Sequence, residues 1–446
     1  MYKRFQTGSA TLRRAFLIFA CIVLVAAAAL GQEQRIVAPI ETSLTVVLRG
    51  SRSQRAAQST DLGMLDPSRR ISGITLVFKP SQSQTTELGR LLQEQQNPAS
   101  LSYHNWLTPE QYADLFGLST ADLEKINAWL EAEGFRVDYV ARSRGWVEFS
   151  GAASQVSSAF HTEFHRYQEH GDEHFANIDD PSIPVAIAPV ILLIRGLDNF
   201  RVPAPRLTAR PVPDFTSGGS HFLTPGDLAT IYDINPLYQS GITGTGQKIA
   251  VAGQTDIQLS DIERFRSLYG LPSNNPQLIL VPGSADPGVS QDDVVESSLD
   301  LEYAGGIAPG AAVLFVYSQD VWTSASYAID QAIAPVMSFS YGYCEPQIAS
   351  DPSAAAVYLQ GLAQQANAVG MTWLAASGDS GAAACDIGGV KAASQGLAVN
   401  LPASVPEVTG VGGTEFDEGS GSYWSAVNNA NGSSALSYIP EMAWND

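Results

Sequence analysis

Short apolar segments bounded by Gly or Pro alternate with helical patterns over the second half of the sequence, and this alternation constrains the fold most strongly. The predicted strands are Lys248–Gly253, Leu278–Val281, Ala312–Tyr317, Val336–Ser340 and Met371–Ala376. The predicted helices are Ser260–Tyr269, Asp292–Gly305, Ser324–Ala334 and Ser353–Val369. Strands that are apolar throughout and alternate with helices predict an α/β fold, with a parallel sheet flanked by helices on both faces. Functional sites of such sheets lie at the carboxyl ends of the strands.

The first half has a different pattern. From about Glu41 to Leu197, short strands such as Thr75–Phe78 and Trp146–Phe149 mix with helices such as Ser119–Glu133 and Ala153–Phe160, which predicts an α+β module. A stretch with Pro, Arg and Gly and no hydrophobic period follows, as expected of an exposed, protease-sensitive linker. The predicted organisation is a leader at 1–32, a first domain at 40–198, a linker at 199–220 that contains the cleavage site, and a second domain at 221–446.

Charge divides the chain at the same place. The sequence has 25 basic and 45 acidic residues, a net charge of −20, and only four basic residues, Lys248, Arg264, Arg266 and Lys391, follow position 210. A surface this acidic repels nucleic acid and suits an acidic medium. Histidine is also scarce there, since His221 is the only one in the second half. If the second domain is catalytic, carboxylates must therefore transfer the protons.

The N-terminus has the layout of a secretory signal. Basic residues up to Arg14 precede the apolar run Ala15–Leu30, which is short for a membrane span, and polar residues follow. An uncleaved anchor is the alternative. The pair Arg13-Arg14 is similar to a twin-arginine signal, but Leu12 departs from that pattern, so we expect the general secretory (Sec) route.

Three cysteines occur in the sequence, and Cys21 lies inside the apolar run of the leader. The exported chain would keep Cys344 and Cys385, and an even pair in an exported protein predicts a disulfide. Two unpaired buried thiols are the alternative, because sequence separation gives no distance.

Two groups of residues are candidates for catalysis. Glu296 and Asp300 are four residues apart on a predicted helix, so they share one face and could share a proton. Their spacing alone does not exclude the alternative that both residues lie on a solvated acidic face of the helix. Asp379 and Ser380 follow Gly378 at the carboxyl end of a predicted strand. Ser380 as a chymotrypsin-like nucleophile is disfavoured, because that mechanism needs a histidine base and an all-β fold.

The segment His161-Thr-Glu-Phe-His165 is a third candidate, since it places two histidines and a carboxylate close together. Zinc peptidases have the glutamate directly after the first histidine, whereas Thr162 intervenes here. We therefore interpret the two histidines as a surface pair on a helix.

Many motifs in order carry a resemblance to a known family. In the first module they are Tyr103-His-Asn-Trp-Leu-Thr-Pro-Glu-Gln-Tyr112, Gly134-Phe135, Phe149-Ser-Gly151, Ala159-Phe-His-Thr-Glu163, and Pro184 before Gly196-Leu197. In the second they are Gly244-Thr-Gly-Gln-Lys-Ile-Ala-Val251, Glu296 with Asp300-Leu-Glu302, Ala308-Pro-Gly310, Ser338-Phe-Ser-Tyr-Gly342, Gly378-Asp-Ser-Gly381 and Val411-Gly-Gly-Thr414. The chain resembles the precursors of the sedolisins, which are secreted serine-carboxyl peptidases, and is kumamolisin-like among them. The resemblance runs from about residue 40 to the last residue.

The resemblance implies a subtilisin-like catalytic domain preceded by an α+β, ferredoxin-like propeptide domain that inhibits it. It makes Glu296 the general base and acid, Asp300 its orienting partner and Asp379 the oxyanion-hole residue. It also implies that an extended substrate pairs with the backbone at Ser338, Ser340, Tyr341 and Gly342. The expected partners are protein or peptide substrates and the chain's own propeptide, with no nucleic acid, and a membrane only during export.

One departure concerns the nucleophile. In the family it is the serine of a Gly-Thr-Ser motif well downstream of the Val-Gly-Gly-Thr segment, and Glu415 stands where that serine would be needed in Gly412-Gly-Thr-Glu415. The sequence ends at Asp446 without the motif, so we expect the nucleophile and the ligands of the family's calcium ion to lie beyond residue 446, and no metal site within the chain. The resemblance thus predicts the precursor of a secreted, acid-acting endopeptidase, inactive as these 446 residues. A non-catalytic, peptide-binding relative is the alternative.

Overall fold

A computed structural model describes residues 32–169, 171–202, 216–217, 220–347, 352–386 and 392–444. The predicted signal peptide, apart from residue 32, and positions 203–215, 218 and 219 of the predicted linker lie outside the described residues. Within the described ranges, no helix combines the length and the apolar character needed to cross a bilayer.

The first module contains nine strands and five helices among its described residues. The strands are β1 (Thr45–Val47), β2 (Thr60–Met64), β3 (Arg70–Phe78), β4 (Arg136–Val140), β5 (Trp146–Ala152), β6 (Phe164–Glu169), β7 (Asp172–Asn177), β8 (Ser182–Pro184) and β9 (Ile191–Arg195). The helices are α1 (Gln54–Gln58), α2 (Gln82–Gln96), α3 (Pro109–Phe116), α4 (Thr120–Ala132) and α5 (Ala153–Phe160). Ser81 and Thr108 begin α2 and α3 with capping boxes, because each hydroxyl accepts a backbone N–H that the helix leaves unpaired.

Four of these strands form the central sheet of the first module, in the order β4-β5-β3-β9, and each neighbouring pair is antiparallel. Helices α2 to α4 connect β3 to β4, and α5 follows β5. This order and these connections are the ferredoxin-like topology, so the predicted α+β domain is confirmed. One face of the sheet packs with the helices around Ile74, Ile126, Phe149 and Phe160, all fully buried.

The second module follows in chain order. Its strands are β10 (Thr216–Ser217), β11 (Ser220–His221), β12 (Lys248–Gly253), β13 (Gln277–Leu280), β14 (Ala312–Tyr317), β15 (Val336–Phe339), β16 (Tyr343–Cys344), β17 (Thr372–Ala376), β18 (Asn400–Leu401), β19 (Thr409–Val411), β20 (Thr414–Phe416) and β21 (Glu441–Ala443). Its helices are α6 (Pro225–Ile231), α7 (Asn235–Gln239), α8 (Leu259–Leu268), α9 (Val294–Ile307), α10 (Val321–Asp330) and α11 (Pro352–Ala368), with a 3-10 turn at Glu345–Gln347.

A six-stranded parallel sheet is the centre of the second module, in the order β13-β14-β12-β15-β17-β19. Helices α10 and α11 pack on one face in a core that includes Met337 and Trp373. Helices α8 and α9 cover the other face around Val251, Leu301 and Phe315. The predicted parallel sheet flanked by helices is therefore confirmed.

The structure differs from the sequence-based prediction at one helix start and at one pair of histidines. The predicted helix Ser324–Ala334 begins three residues earlier, at Val321, because the Asp320 carboxylate accepts from the backbone N–H of Thr323 at 3.1 Å and so caps α10. The predicted helical histidine pair does not form. His161 ends α5 in the left-handed region with φ 51°, and His165 lies on the strand β6.

The first module packs its sheet and α2 against α10 and α11 of the second. Val77 and Leu193 enter the same buried cluster as Trp322 and Tyr358. Arg195 adds an ion pair to Asp320 and donates to the Tyr358 hydroxyl at 2.8 Å. The module that the sequence predicts to be removable thus shares a core with the module that it covers.

Candidate active site

The helix α9 carries the first two predicted catalytic residues. Glu296 and Asp300 lie one turn apart on the same face of the helix, and Glu296 is only 6% exposed. The sequence left a solvated acidic face open, and this burial excludes that alternative. Two carboxyl groups so close together in a buried position share protons more readily than they hold two negative charges.

Burial raises the pKa of Glu296, and the neighbouring Asp300 raises it further, while a hydrogen bond from Ser340 opposes the shift. Burial likewise raises the pKa of Asp300 against the Ser340 hydrogen bond. The pair therefore keeps a proton at a pH where exposed carboxyl groups have lost theirs. A carboxyl that exchanges a proton near the ambient pH is suited to general acid–base catalysis.

The segment after β15 holds Asp300 in place. The Ser340 hydroxyl donates to Oδ1 of Asp300 at 2.8 Å, and Oδ2 of Asp300 is buried without a hydrogen-bond partner among the described residues. Ser338 lies within β15, where it is in register with Val251 on one side and Leu374 on the other. Its backbone thus belongs to the central sheet.

The other two predicted substrate-binding positions lie just beyond Ser340. Tyr341 is 1% exposed, and its hydroxyl is 3.4 Å from the hydroxyl of Ser297 on α9, so its side chain is part of the core. A Cβ on Gly342 would lie 2.8 Å from the carbonyl oxygen of Leu401, which explains the requirement for glycine where β16 and β18 come together. The Ser340 hydroxyl thus contacts the carboxylate pair, and the Tyr341 side chain packs in the core.

Asp379 reaches the site from the neighbouring strand. It follows β17 and Gly378, which has φ of +98° and whose added Cβ would lie 2.6 Å from the Asn400 amide nitrogen. The charge of Asp379 contributes to the raised pKa of Glu296, so Asp379 acts electrostatically on the carboxylate pair. The three carboxyl groups come from α9 and from the carboxyl end of β17, at the edge of the sheet where the strand pattern places a site.

Comparisons with known proteins bear on the two-module architecture. Residues 57–200 match the family described as the activation domain of pro-kumamolisin. The chain is 28% identical to sedolisin of Pseudomonas sp. over 374 residues, covering 81% of this chain and 60% of that protein. It is 30% identical to tripeptidyl-peptidase 1 of Pan troglodytes over 380 residues, covering 80% and 64%.

The chain is thus similar to sedolisin-family peptidases over most of its length, and its first module matches their activation domain. It spans less than two thirds of the length of these two relatives. Among solved structures, it is similar to Pseudomonas sedolisin complexed with two molecules of pseudo-iodotyrostatin, at 26% identity and a TM-score of 0.38, covering 48% of this chain and 61% of that one.

The predicted disulfide is also present. Cys344 and Cys385 are bonded, with their Cα atoms 5.2 Å apart, and both are buried. The bond ties β16 to the segment after Asp379, so it braces two elements that border the candidate site. Among the described residues, no group of three or more His, Cys, Asp or Glu side chains is arranged to hold a metal ion.

Sequence reasoning missed a polar group beside the carboxylates. Gln254 follows β12 and is fully buried, and its Nε2 donates to Oδ1 of Asp293 at 2.8 Å. Asp293 directly precedes α9, and the Arg201 guanidinium donates to its Oδ2 at 2.8 Å. The available signal was the position of Gln254 at the carboxyl end of a strand and of Asp293 three residues before Glu296.

Proposed function

We propose that the protein is the precursor of a secreted, acid-acting serine-type endopeptidase, which hydrolyses peptide bonds with a serine, a glutamate and an aspartate. The observation that carries the proposal is the buried pair of Glu296 and Asp300, where the Ser340 hydroxyl donates to Asp300 and the charge of Asp379 adds to the raised pKa of Glu296. A site with these groups moves protons without histidine, as the scarcity of histidine in the second module requires.

In the proposed reaction, Glu296 accepts the proton of a serine hydroxyl as its oxygen attacks the substrate carbonyl carbon. Asp300 orients Glu296 and shares its proton. The protonated carboxyl of Asp379 donates a hydrogen bond to the oxyanion that forms on the carbonyl oxygen. Glu296 then gives its proton to the leaving amine, and water repeats the sequence to release the acyl group.

The nucleophilic serine and the calcium ligands are proposed to lie outside these 446 residues. Ser380 is next to Asp379, but the mechanism assigns it no proton transfer. Glu296, Asp300 and Asp379 keep their proposed roles as general base, orienting group and oxyanion donor. Losing one member of such a unit removes most of the catalysis, because its members act together.

The first module is proposed to inhibit the enzyme until it is cut away in the linker. It buries apolar surface with α10 and α11, and its last described residues, Arg201 and Val202, lie against Gln254 and Asp293. A substrate cannot enter that space while the segment is there. Export by the predicted Sec signal would deliver the precursor outside the cell, where acid would favour the protonated Asp379.

The test is hydrolysis of a denatured protein by the full-length gene product between pH 3 and 7. We expect hydrolysis after removal of the first module, and a loss of at least about 100-fold for Glu296→Gln, the typical contribution of a general base. Glu263→Gln is the matched control, because Glu263 is exposed on α8 and carries the same charge.

Sequencing the DNA beyond the codon for Asp446 separates the two candidate functions. An open frame that includes a Gly-Thr-Ser motif supports the peptidase. A stop codon there, together with peptide binding and no hydrolysis, would refute the catalytic proposal and establish the non-catalytic alternative.

A further inference from the structure

The segment that leaves the first module lies in a groove of the second. Val202 is 3% exposed and enters the core cluster of α10 and α11. Nη1 of Arg201 donates to Oδ2 of Asp293 at 2.8 Å and to the backbone oxygen of Gln254 at 3.2 Å. The chain thus presents one basic side chain and one apolar side chain to the groove.

The groove also binds the main chain of this segment. Nε2 of Gln254 donates to the carbonyl oxygen of Val202 at 2.6 Å, and the Tyr343 hydroxyl donates to the carbonyl oxygen of Arg201 at 3.2 Å. Contacts to carbonyl oxygens do not depend on the side chains of the bound peptide. Any extended peptide offers the same acceptors, so Gln254 and Tyr343 are suited to hold a substrate as well as the linker.

Asp293 supplies the selective contact. Its side chain is 4% exposed, and among the described residues its only ion pair is with Arg201, whose side chain is 34% exposed. A buried carboxylate that loses its cation is costly, because it keeps its charge without compensation. A neutral side chain in the place of Arg201 would leave the buried Asp293 carboxylate without a cation.

The position of Asp293 links this contact to the proposed chemistry. Asp293 directly precedes α9, and Glu296 lies three residues further on. Residues three apart on a helix are neighbours on its surface. The basic side chain is therefore held one helical turn from the proposed general base.

We propose that Gln254, Asp293 and Tyr343 form a substrate subsite that selects a basic side chain, and that Arg201 occupies this subsite in the precursor. The inference rests on the proposed function, and it names a class of substrate, peptides with arginine or lysine at one fixed position. Both contacts come from Nη1 of Arg201, to the Asp293 carboxylate and to the backbone oxygen of Gln254, so a lysine ammonium has the donors to make them as well.

The first test profiles a peptide library with the full-length protein after acid processing. At one position we expect arginine to exceed its neutral isostere citrulline by roughly 10- to 100-fold in kcat/KM, from the strength of hydrogen bonds to charged groups. Asp293→Asn should abolish the preference, and Asp293→Glu should restore part of it. Asp292→Asn is the matched control, since Asp292 is the adjacent, exposed carboxylate. Hydrolysis with no basic preference, or an unchanged preference in Asp293→Asn, overturns the subsite.

A second test does not depend on hydrolysis. A fluorescent peptide with the sequence of residues 198–206 is titrated against the processed protein, beside the same peptide with citrulline in the place of Arg201. The arginine peptide should bind roughly 10- to 100-fold more tightly, and Asp293→Asn should remove the difference. If the arginine peptide binds more tightly but no peptide is cleaved, the subsite is supported and the catalytic proposal is refuted. Equal binding of the two peptides refutes the subsite, whether or not the protein cleaves peptides.

Discussion

One carboxylate of the second module holds a loop of the first. Asp330, the last residue of α10, is fully buried. Its Oδ1 accepts from the backbone N–H of Ser143 at 2.8 Å, and its Oδ2 accepts from the backbone N–H of Arg142 at 3.0 Å and from the Tyr139 hydroxyl at 2.9 Å. Three donors from one module thus converge on a single acceptor in the other.

Asp330→Ala removes all three acceptor contacts at once. Ser143 is fully buried, so its N–H cannot turn to water, whereas Arg142 is exposed and its N–H can. An unsatisfied buried donor costs about 1–3 kcal/mol. Counting about 2 kcal/mol for the buried Ser143 N–H and about 1 kcal/mol for the half-buried Tyr139 hydroxyl, we expect the variant to lose about 3 kcal/mol of the free energy that holds the modules together, or roughly 100-fold in the equilibrium constant.

Amide hydrogen exchange on the full chain measures this loss at the residue concerned. The Ser143 amide should exchange roughly 100-fold faster in Asp330→Ala, with a smaller increase in Asp330→Asn, which keeps one acceptor oxygen. Glu110→Gln is the control, since Glu110 pairs with Arg142 at the surface, and exposed pairs contribute about 0–1 kcal/mol. Unchanged exchange at Ser143 in Asp330→Ala, or an equal increase in Glu110→Gln, would refute the reasoning.

Two further predictions concern the stability of the folded chain. Both carboxylate oxygens of Glu148 are buried without partners among the described residues, and burial, with smaller contributions from Asp138 and Asp320, raises its pKa from 4.5 to about 8. The folded state therefore keeps a proton that the unfolded state releases, so stability falls as the pH rises from about 4.5 to about 8. Glu148→Gln removes this pH dependence. Measured by urea unfolding, the free energy of unfolding of the variant should exceed that of the wild type by about 3 kcal/mol at pH 7 and by little at pH 4. Equal gains at both pH values would contradict the prediction. Replacing Cys344 and Cys385 by serine removes a cross-link between residues 41 positions apart and should lower the free energy of unfolding by about 2–4 kcal/mol in the same measurement. If the disulfide is the cause, a reductant should abolish the difference between the variant and the wild type.

Local patterns in the sequence were sufficient for the elements and their order. Lys248–Gly253 and Ala312–Tyr317 are strands with the predicted bounds, because continuous apolar runs such as those after Lys248 and from Ala312 fit a sheet covered on both faces. The spacing of Glu296 and Asp300 placed both on one helical face, since the helical period is a local property of the chain. The parallel sheet and the approach of Asp379 from a strand end follow from the same alternation of strands and helices.

The sequence alone could not decide whether the Glu296 and Asp300 face is solvated or buried. Burial is set by what packs over a helix, and here that includes the central sheet and the segment of Ser340. It is burial that raises the pKa values of the pair and makes it chemically competent. The spacing of the two residues carries no information on this point.

The contacts between the modules also required the tertiary structure. Arg201 meets Asp293 across 92 positions of sequence, and Asp330 meets Ser143 across 187. No periodicity or local motif links residues so far apart. The sequence by itself therefore determined the two modules and the helical carboxylate pair. The tertiary structure decided which charges are buried, which of them pair across the interface and where the linker meets the site. These features depend on the packing of surfaces that are distant along the chain.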